Sequence, residues 1–246
     1  MSIESPSDMA GLERAGAVTR LVIEAMKVAV RPGISTLELD KIGGDVMRRH
    51  GARSAPHLVY AFPGHNCISI NDEVVHGVPG ARTLQPGDLV KLDVTVEFDG
   101  YMADACETVA VPPIRRQQKD LIDCAQSAFY AGLQRVRPGA RAYEVGESIH
   151  REVTRCGYSV VRDLTGHGIG RTIHEPPTIP NHRDPSCDAI LTEGLVFTIE
   201  PLISAGGPRT FLKHDGWTIR TRDRALSAHY EHTVVVTAQG ARLLTA

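Results

Sequence analysis

The stretch Leu89–Val111, LVKLDVTVEFDGYMADACETVAV, decides how this chain folds. Apolar and polar residues alternate on either side of Asp99-Gly100, a pair that favours the two-residue turn of a β-hairpin. With that turn, Asp104 falls opposite Thr95, and Asp93 lies two residues further along the same face. Diagonal neighbours on one face of a hairpin are roughly 7–8 Å apart, within reach of convergent side chains. Leu92, Val94, Val96 and Phe98 form an apolar face that predicts a covering layer. Lys91, Asp93, Thr95 and Glu97 form the other face, which suits either solvent or a polar cavity. A strand aspartate is more often solvated than ligating. Two carboxylates that converge in a cavity, however, repel each other unless a cation lies between them.

An internal duplication gives the hairpin a partner. Residues 30–51, VRPGISTLELDKIGGDVMRRHG, align without a gap on residues 136–157, VRPGARAYEVGESIHREVTRCG. Both begin VRPG, carry Glu at 38 and 144 and Arg at 49 and 155, and end in Gly. Each follows a helical run, Met9–Val30 or Arg116–Val136, ended by Pro-Gly. Each then opens a second helix, near Thr36–His50 or Ala142–Cys156, stopped by a glycine. The strands repeat as well. Gly87–Asp93 matches Gly194–Glu200, and the segment opening at Asp104 matches the one opening at Glu231. Asp93 therefore pairs with Glu200, and Asp104 with Glu231. Four carboxylates related two by two are what a pseudo-twofold axis through a binuclear site would produce.

Two helices followed by strands, twice over, give an α+β fold with helices on one face of largely antiparallel strands. No linker or shift in composition separates the halves, about 9–111 and 116–246, so residues 1–246 are expected to form one domain. Residues 1–8 are expected to fray. The chain has 246 residues, 42% hydrophobic and 23% charged, the balance of an ordinary globular protein. A net charge of −2 gives no argument for nucleic-acid binding, and no apolar run approaches a membrane span. Five cysteines without CxxC spacing and no signal-peptide core point to reduced thiols in the cytoplasm.

Two loops contribute histidines. Gly166-His167-Gly168-Ile169-Gly170 leads to His174, and the prolines that follow stiffen the segment into a plausible cleft wall. In isolation, His167 reads as an ordinary surface histidine. The matching loop of the first half carries His76 before Gly77. Asp72 and Glu73 in that loop read as solvated or capping residues. The remaining histidines, His229 among them, read as surface or packing residues.

The spacing D-x10-D, then GHG and IHEPP, then FTIEP, then SAxYEHT, resembles the type I methionine aminopeptidases of the pita-bread fold, over nearly the whole chain. The resemblance implies a binuclear metallopeptidase that removes the initiator methionine ahead of a small second residue. It assigns Asp93 to one divalent ion, His167 and Glu200 to the other, and Asp104 and Glu231 to both. It implies iron, manganese or cobalt as the two ions, with Glu200 also carrying protons. His174 would bond the substrate carbonyl, and His76 would lie near the scissile nitrogen. Phe62, Cys67, Ile173 and Trp217 would line the methionine pocket, with Val59 or His57 at its rim. Nascent N-termini at the ribosome would be the partners of a monomeric, cytoplasmic enzyme. Leu164 departs from the family, where an aromatic residue is common. A proline-specific peptidase of the same fold is the runner-up, but such enzymes usually carry an N-terminal domain that this chain lacks. A catalytically dead peptide- or RNA-binding relative would have lost ligands, and all five stand here.

Overall fold

The computed structural model describes residues 1–246. The first half runs α1 (Pro6–Ala29), α2 (Thr36–Arg49), β1 (Arg53–Ser54), α3 (Ala55–Tyr60), β2 (Cys67–Ile70), β3 (Glu73–Val75), β4 (Leu89–Phe98) and β5 (Tyr101–Ala110). The second half runs α4 (Arg116–Leu133), α5 (Ala142–Arg155), β6 (Ser159–Val160), β7 (Gly166–Gly168) and β8 (Glu175–Ile179). It ends with β9 (Val196–Ile199), β10 (Leu202–Ser204), β11 (Thr210–Leu212), β12 (Ile219–Thr221), β13 (Ser227–Thr237) and β14 (Gly240–Leu243).

The hairpin forms in the expected register, with Thr95 facing Asp104. Asp99 and Gly100 adopt φ of 50° and 80°, the left-handed pair that turns tightly between twisted strands. Side-chain alternation then separates two environments. Leu92, Val94 and Val96 pack with Val22 and Met26 of α1 and with Leu39 and Met47 of α2. In the second half, Phe197, Ile199, Val234 and Val236 pack against Leu121 and Phe129 of α4 and Ile149 of α5. Burial of each such side chain contributes roughly 1.5–3 kcal/mol, so the four long helices hold this face of the sheet firmly. The opposite face, bearing Asp93, Asp104, Thr198 and Glu231, is left to build a cavity.

The halves join where β5 pairs with β13, Cys106 opposite Glu231. From that junction the order reads alike in both directions. β4 then β2 lie on one side, and β9 then β7 on the other. Every strand pairing is antiparallel. This is the α+β, helix-backed architecture that the sequence predicts.

Local chemistry explains why the repeat keeps certain residues. Glu38 accepts a hydrogen bond from the Ser35 amide at 2.8 Å, and Glu144 accepts one from the Arg141 amide at 2.9 Å. The matched glutamates thus satisfy the free N–H groups that start α2 and α5. Gly87 and Gly194, which open the approaches to Asp93 and Glu200, have φ of 87° and 85°. A side chain there would meet its own backbone, so both copies use glycine.

The N-terminus departs from expectation. Ser2 bridges to Leu195, the Ile3 amide donates to the Gly194 carbonyl at 2.8 Å, and Ser5 caps α1. Residues 1–8 are tied down because the segment around Leu195 has free backbone groups to pair.

Candidate metal and active site

Asp93, Asp104, Glu200 and Glu231 converge on one cavity of about 440 Å³, each no more than 8% exposed. Cross-strand register brings them there. Asp93 and Asp104 stand diagonally on the hairpin, Glu231 pairs beside Cys106, and Glu200 leaves the end of β9. Thr233 and Asp104 bond reciprocally, each Thr233 Oγ1 contact being 2.8 Å, which locks β5 to β13 at the site. Thr198 Oγ1 donates to Glu200 Oε1 at 2.8 Å and accepts from the His167 amide at 3.0 Å.

The glycines beside His167 have a steric reason. A Cβ on Gly166 would lie 2.5 Å from the Thr198 carbonyl, and one on Gly168 would lie 2.2 Å from that of Pro176. Only glycine lets β7 slot between β8 and β9 and carry His167 to the carboxylates. His167 Nδ1 lies 2.9 Å from the Gly168 carbonyl, which can only accept, so Nδ1 carries the proton. The free lone pair of Nε2 then points at Glu200, 3.5 Å from Oε1. Burial lowers the His167 pKa to about 3, keeping that lone pair available.

This donor set fits divalent metal. Burial, and for Asp93 and Glu231 the neighbouring carboxylates, push Asp93, Glu200 and Glu231 far above the usual carboxylate range. Burial raises Asp104 to about 6. No lysine or arginine lines the cavity, and Asp104 Oδ1 is buried without a hydrogen-bond partner. Four buried carboxylates without a cationic side chain are strongly unfavourable, and a divalent ion removes the conflict. Donor atoms of Asp104, His167 and Glu231 lie within 4.8 Å of one another, as do those of Glu200, His229 and Glu231.

The wall beside this floor is apolar. Phe62 and Trp217 meet edge to face, with ring centroids 5.2 Å apart, and Cys67 and Ile173 complete the recess. Phe62, Cys67 and Ile173 are 1%, 6% and 4% exposed, so they are both wall and core. Cys67 is the strand partner of Asp93, and burial raises its thiol pKa well above normal. His76 takes φ of 57° and is lowered to about 4, first by burial and then by the His174 charge. His174 stands at the mouth, its ring centroid 4.2 Å from that of His167.

Several details run against the sequence reading. His57 and Val59 are not part of the cavity lining, where Pro56 and Tyr60 stand instead. His57 bonds the Phe62 carbonyl at 2.9 Å, while the Tyr60 hydroxyl reaches His174 Nδ1 at 2.7 Å. A six-residue helix turned by Ala61 at φ of 54° makes this choice, which residue spacing does not reveal. Asp72 and Glu73 are buried, not solvated. Asp72 is gripped by Arg220 and Arg224, while Glu73 takes the capping alternative and accepts from the Ile70 amide. His229 is not a bystander either. It is 1% exposed and lines the cavity, and burial lowers its pKa to about 3. The signal was available, because His229 precedes Glu231 by two residues and so shares its face of β13.

Comparison with known proteins agrees with this geometry. The model for metallopeptidase family M24 matches residues 10–238. Methionine aminopeptidase 2 of Bacillus subtilis is 39% identical, over 100% of this chain and 99% of that protein. Methionine aminopeptidase of Escherichia coli K12 is 40% identical, over 100% and 94%. The crystal structure of methionine aminopeptidase from Rickettsia prowazekii superposes with a TM-score of 0.96 at 38% identity, covering 100% of both chains. The fold therefore has its counterpart in known enzymes, and the chain belongs to metallopeptidase family M24, among the methionine aminopeptidases.

Proposed function

We propose that this chain removes the N-terminal methionine from peptides and nascent proteins with a small second residue. The observation that carries the reading is one cavity with two unlike parts. Asp93, Asp104, His167, Glu200 and Glu231 form a floor of carboxylates and one imidazole, next to an apolar recess of Phe62, Cys67, Ile173 and Trp217. We assign Asp93 to one ion, His167 and Glu200 to a second, and Asp104 and Glu231 to both. An oxygen-rich set of this kind suits iron, manganese or cobalt. Such an ion pair, when bound, supplies a hydroxide nucleophile near neutral pH and polarises the scissile carbonyl.

The protein's own groups complete the chemistry. Tyr60 Oη lies 2.7 Å from His174 Nδ1, and the tautomer in which Tyr60 donates leaves the proton on Nε2 to bond the carbonyl oxygen as negative charge develops there. Glu200, ionised beside bound metal, would take a proton from the attacking water and return it to the departing amine. The carbon–oxygen bond forms first, placing negative charge on the carbonyl oxygen, and the carbon–nitrogen bond breaks as the water proton reaches nitrogen. His76, neutral at pH 7, orients the scissile nitrogen. The recess accepts an unbranched thioether, whose sulfur packs well against aromatic rings.

We further propose that residues 1–246 work as one catalytic unit on N-termini emerging at the ribosome, as a cytoplasmic monomer. No helix is long and apolar enough to cross a membrane. The test is hydrolysis of Met-Ala-Ser, compared with Xaa-Pro peptides, by protein loaded with manganese, iron or cobalt. Release of methionine from the first alone is expected. No turnover with any of the three ions overturns the proposal, and preference for Xaa-Pro bonds redirects it to the proline-specific relatives.

A further inference from the structure

His229 has no role in the chemistry described so far, yet it faces the same carboxylates. Its Nε2 lies 3.4 Å from Glu231 Oε2 and 4.0 Å from Glu200 Oε2. Neither ring nitrogen has a hydrogen-bond partner, although the ring is 1% exposed. Buried polar atoms are nearly always paired, so two orphaned nitrogens on one ring call for a missing partner. The partner lies toward Glu200, because donor atoms of Glu200, His229 and Glu231 gather within 4.8 Å. On the other side of Glu200, His167 Nε2 approaches Oε1 at 3.5 Å. Two imidazoles thus flank one carboxylate, one against each oxygen.

We propose that His229 is a sixth donor of the metal centre, a second imidazole beside Glu200 and Glu231. This rests on the ligand assignment given above. A hydrogen bond from His229 to Glu231 does not account for the arrangement, since Nε2 makes none at this separation. The consequence is a centre of four carboxylates and two imidazoles, richer in nitrogen on the Glu200 side. Imidazole suits zinc, whereas carboxylate suits manganese, so His229 tilts the site toward the nitrogen-preferring ion.

The experiment is calorimetric titration of metal-free full-length protein with Zn(II) and with Mn(II), in wild type, His229→Gln and Asp104→Asn. His229→Gln is expected to weaken zinc about tenfold or more and manganese less than about threefold. A residue that merely positioned Glu231 would lower both affinities alike. Equal losses, or none, overturn the proposal. Unchanged affinity in Asp104→Asn overturns the ligand assignment itself and this proposal with it, an outcome that the other variant does not produce. If His229→Gln fails to fold, nitrogen-15 histidine spectra of the Co(II)-loaded wild type decide. Two imidazoles with large contact shifts are expected, and only one overturns the proposal.

Discussion

On the floor of the cavity, Asp93, Asp104 and Glu231 project from strands of ten or eleven residues, and Glu200 sits at the foot of a fourth. At the rim, Tyr60 comes from a six-residue helix, His174 from a loop, and Trp217 from a turn held by Asp215. The floor is held by ladder hydrogen bonds and a packed helix layer, so its carboxylates stay close despite their repulsion. The rim is held by a few local contacts, Tyr60 to His174, Phe62 to Trp217 and the Trp217 amide to Asp215. A rigid floor suits a reaction that needs fixed charges, and a lightly braced rim suits the entry and exit of a peptide.

Breaking the floor should have the largest effect. Asp104→Asn keeps the shape of the side chain but removes the charge shared by both proposed ions, and kcat/KM on Met-Ala-Ser should fall on the order of 10³-fold. An unchanged far-UV spectrum would separate this loss from unfolding, and near-normal activity would refute the assignment of Asp104. At the mouth, His174→Ala should lower kcat about 10²-fold with little change in KM, the signature of a bond made only in the transition state. A change confined to KM would reassign His174 to ground-state binding. On the apolar wall, Trp217→Ala should raise KM for methionyl peptides about tenfold and leave kcat nearly intact. An unaffected KM would remove Trp217 from the pocket.

The smallest expected effect is on stability. In protein freed of metal by chelation, Asp104 is raised from 3.8 to about 6 by burial. Its contribution to stability is therefore present below about pH 4 and lost as pH rises through about 6. Asp104→Asn, which carries no charge to bury, should match metal-free wild type in Tm near pH 4 and exceed it by several degrees at pH 7.5. A gap that stays constant with pH would show that Asp104 carries no raised pKa in the metal-free fold. Divalent ion should reverse the order at pH 7.5 by stabilising wild type alone.

Much of the floor was legible in the residues. Asp99-Gly100 imposes a register on β4 and β5, so the diagonal placement of Asp93 and Asp104 follows from turn geometry alone. Repetition then extends that reading to Glu200 and Glu231, because copies of one unit fold alike. From the residues alone His167 was legible only as glycine-flanked, and the family resemblance is what marked it as a proposed ligand. Its tautomer depends on the Gly168 carbonyl, and its target on Thr198 and Glu200 of a different strand. Tyr60 was missed and Val59 or His57 put at the rim in its place, because Ala61 at positive φ redirects the chain in a way that spacing does not encode.

By itself, the sequence determined the hairpin, the capped helix pairs, the repeated order of elements and the residue types of the centre. Each depends on a local rule, a turn preference, a side-chain period or a helix-stopping glycine, that acts over a few residues. Only the tertiary structure decided that β5 meets β13, that the polar faces of both halves enclose one cavity, and that His229 is sealed inside it. Those outcomes depend on pairings between residues more than a hundred positions apart, selected by how two helix pairs and one sheet bury their apolar faces together.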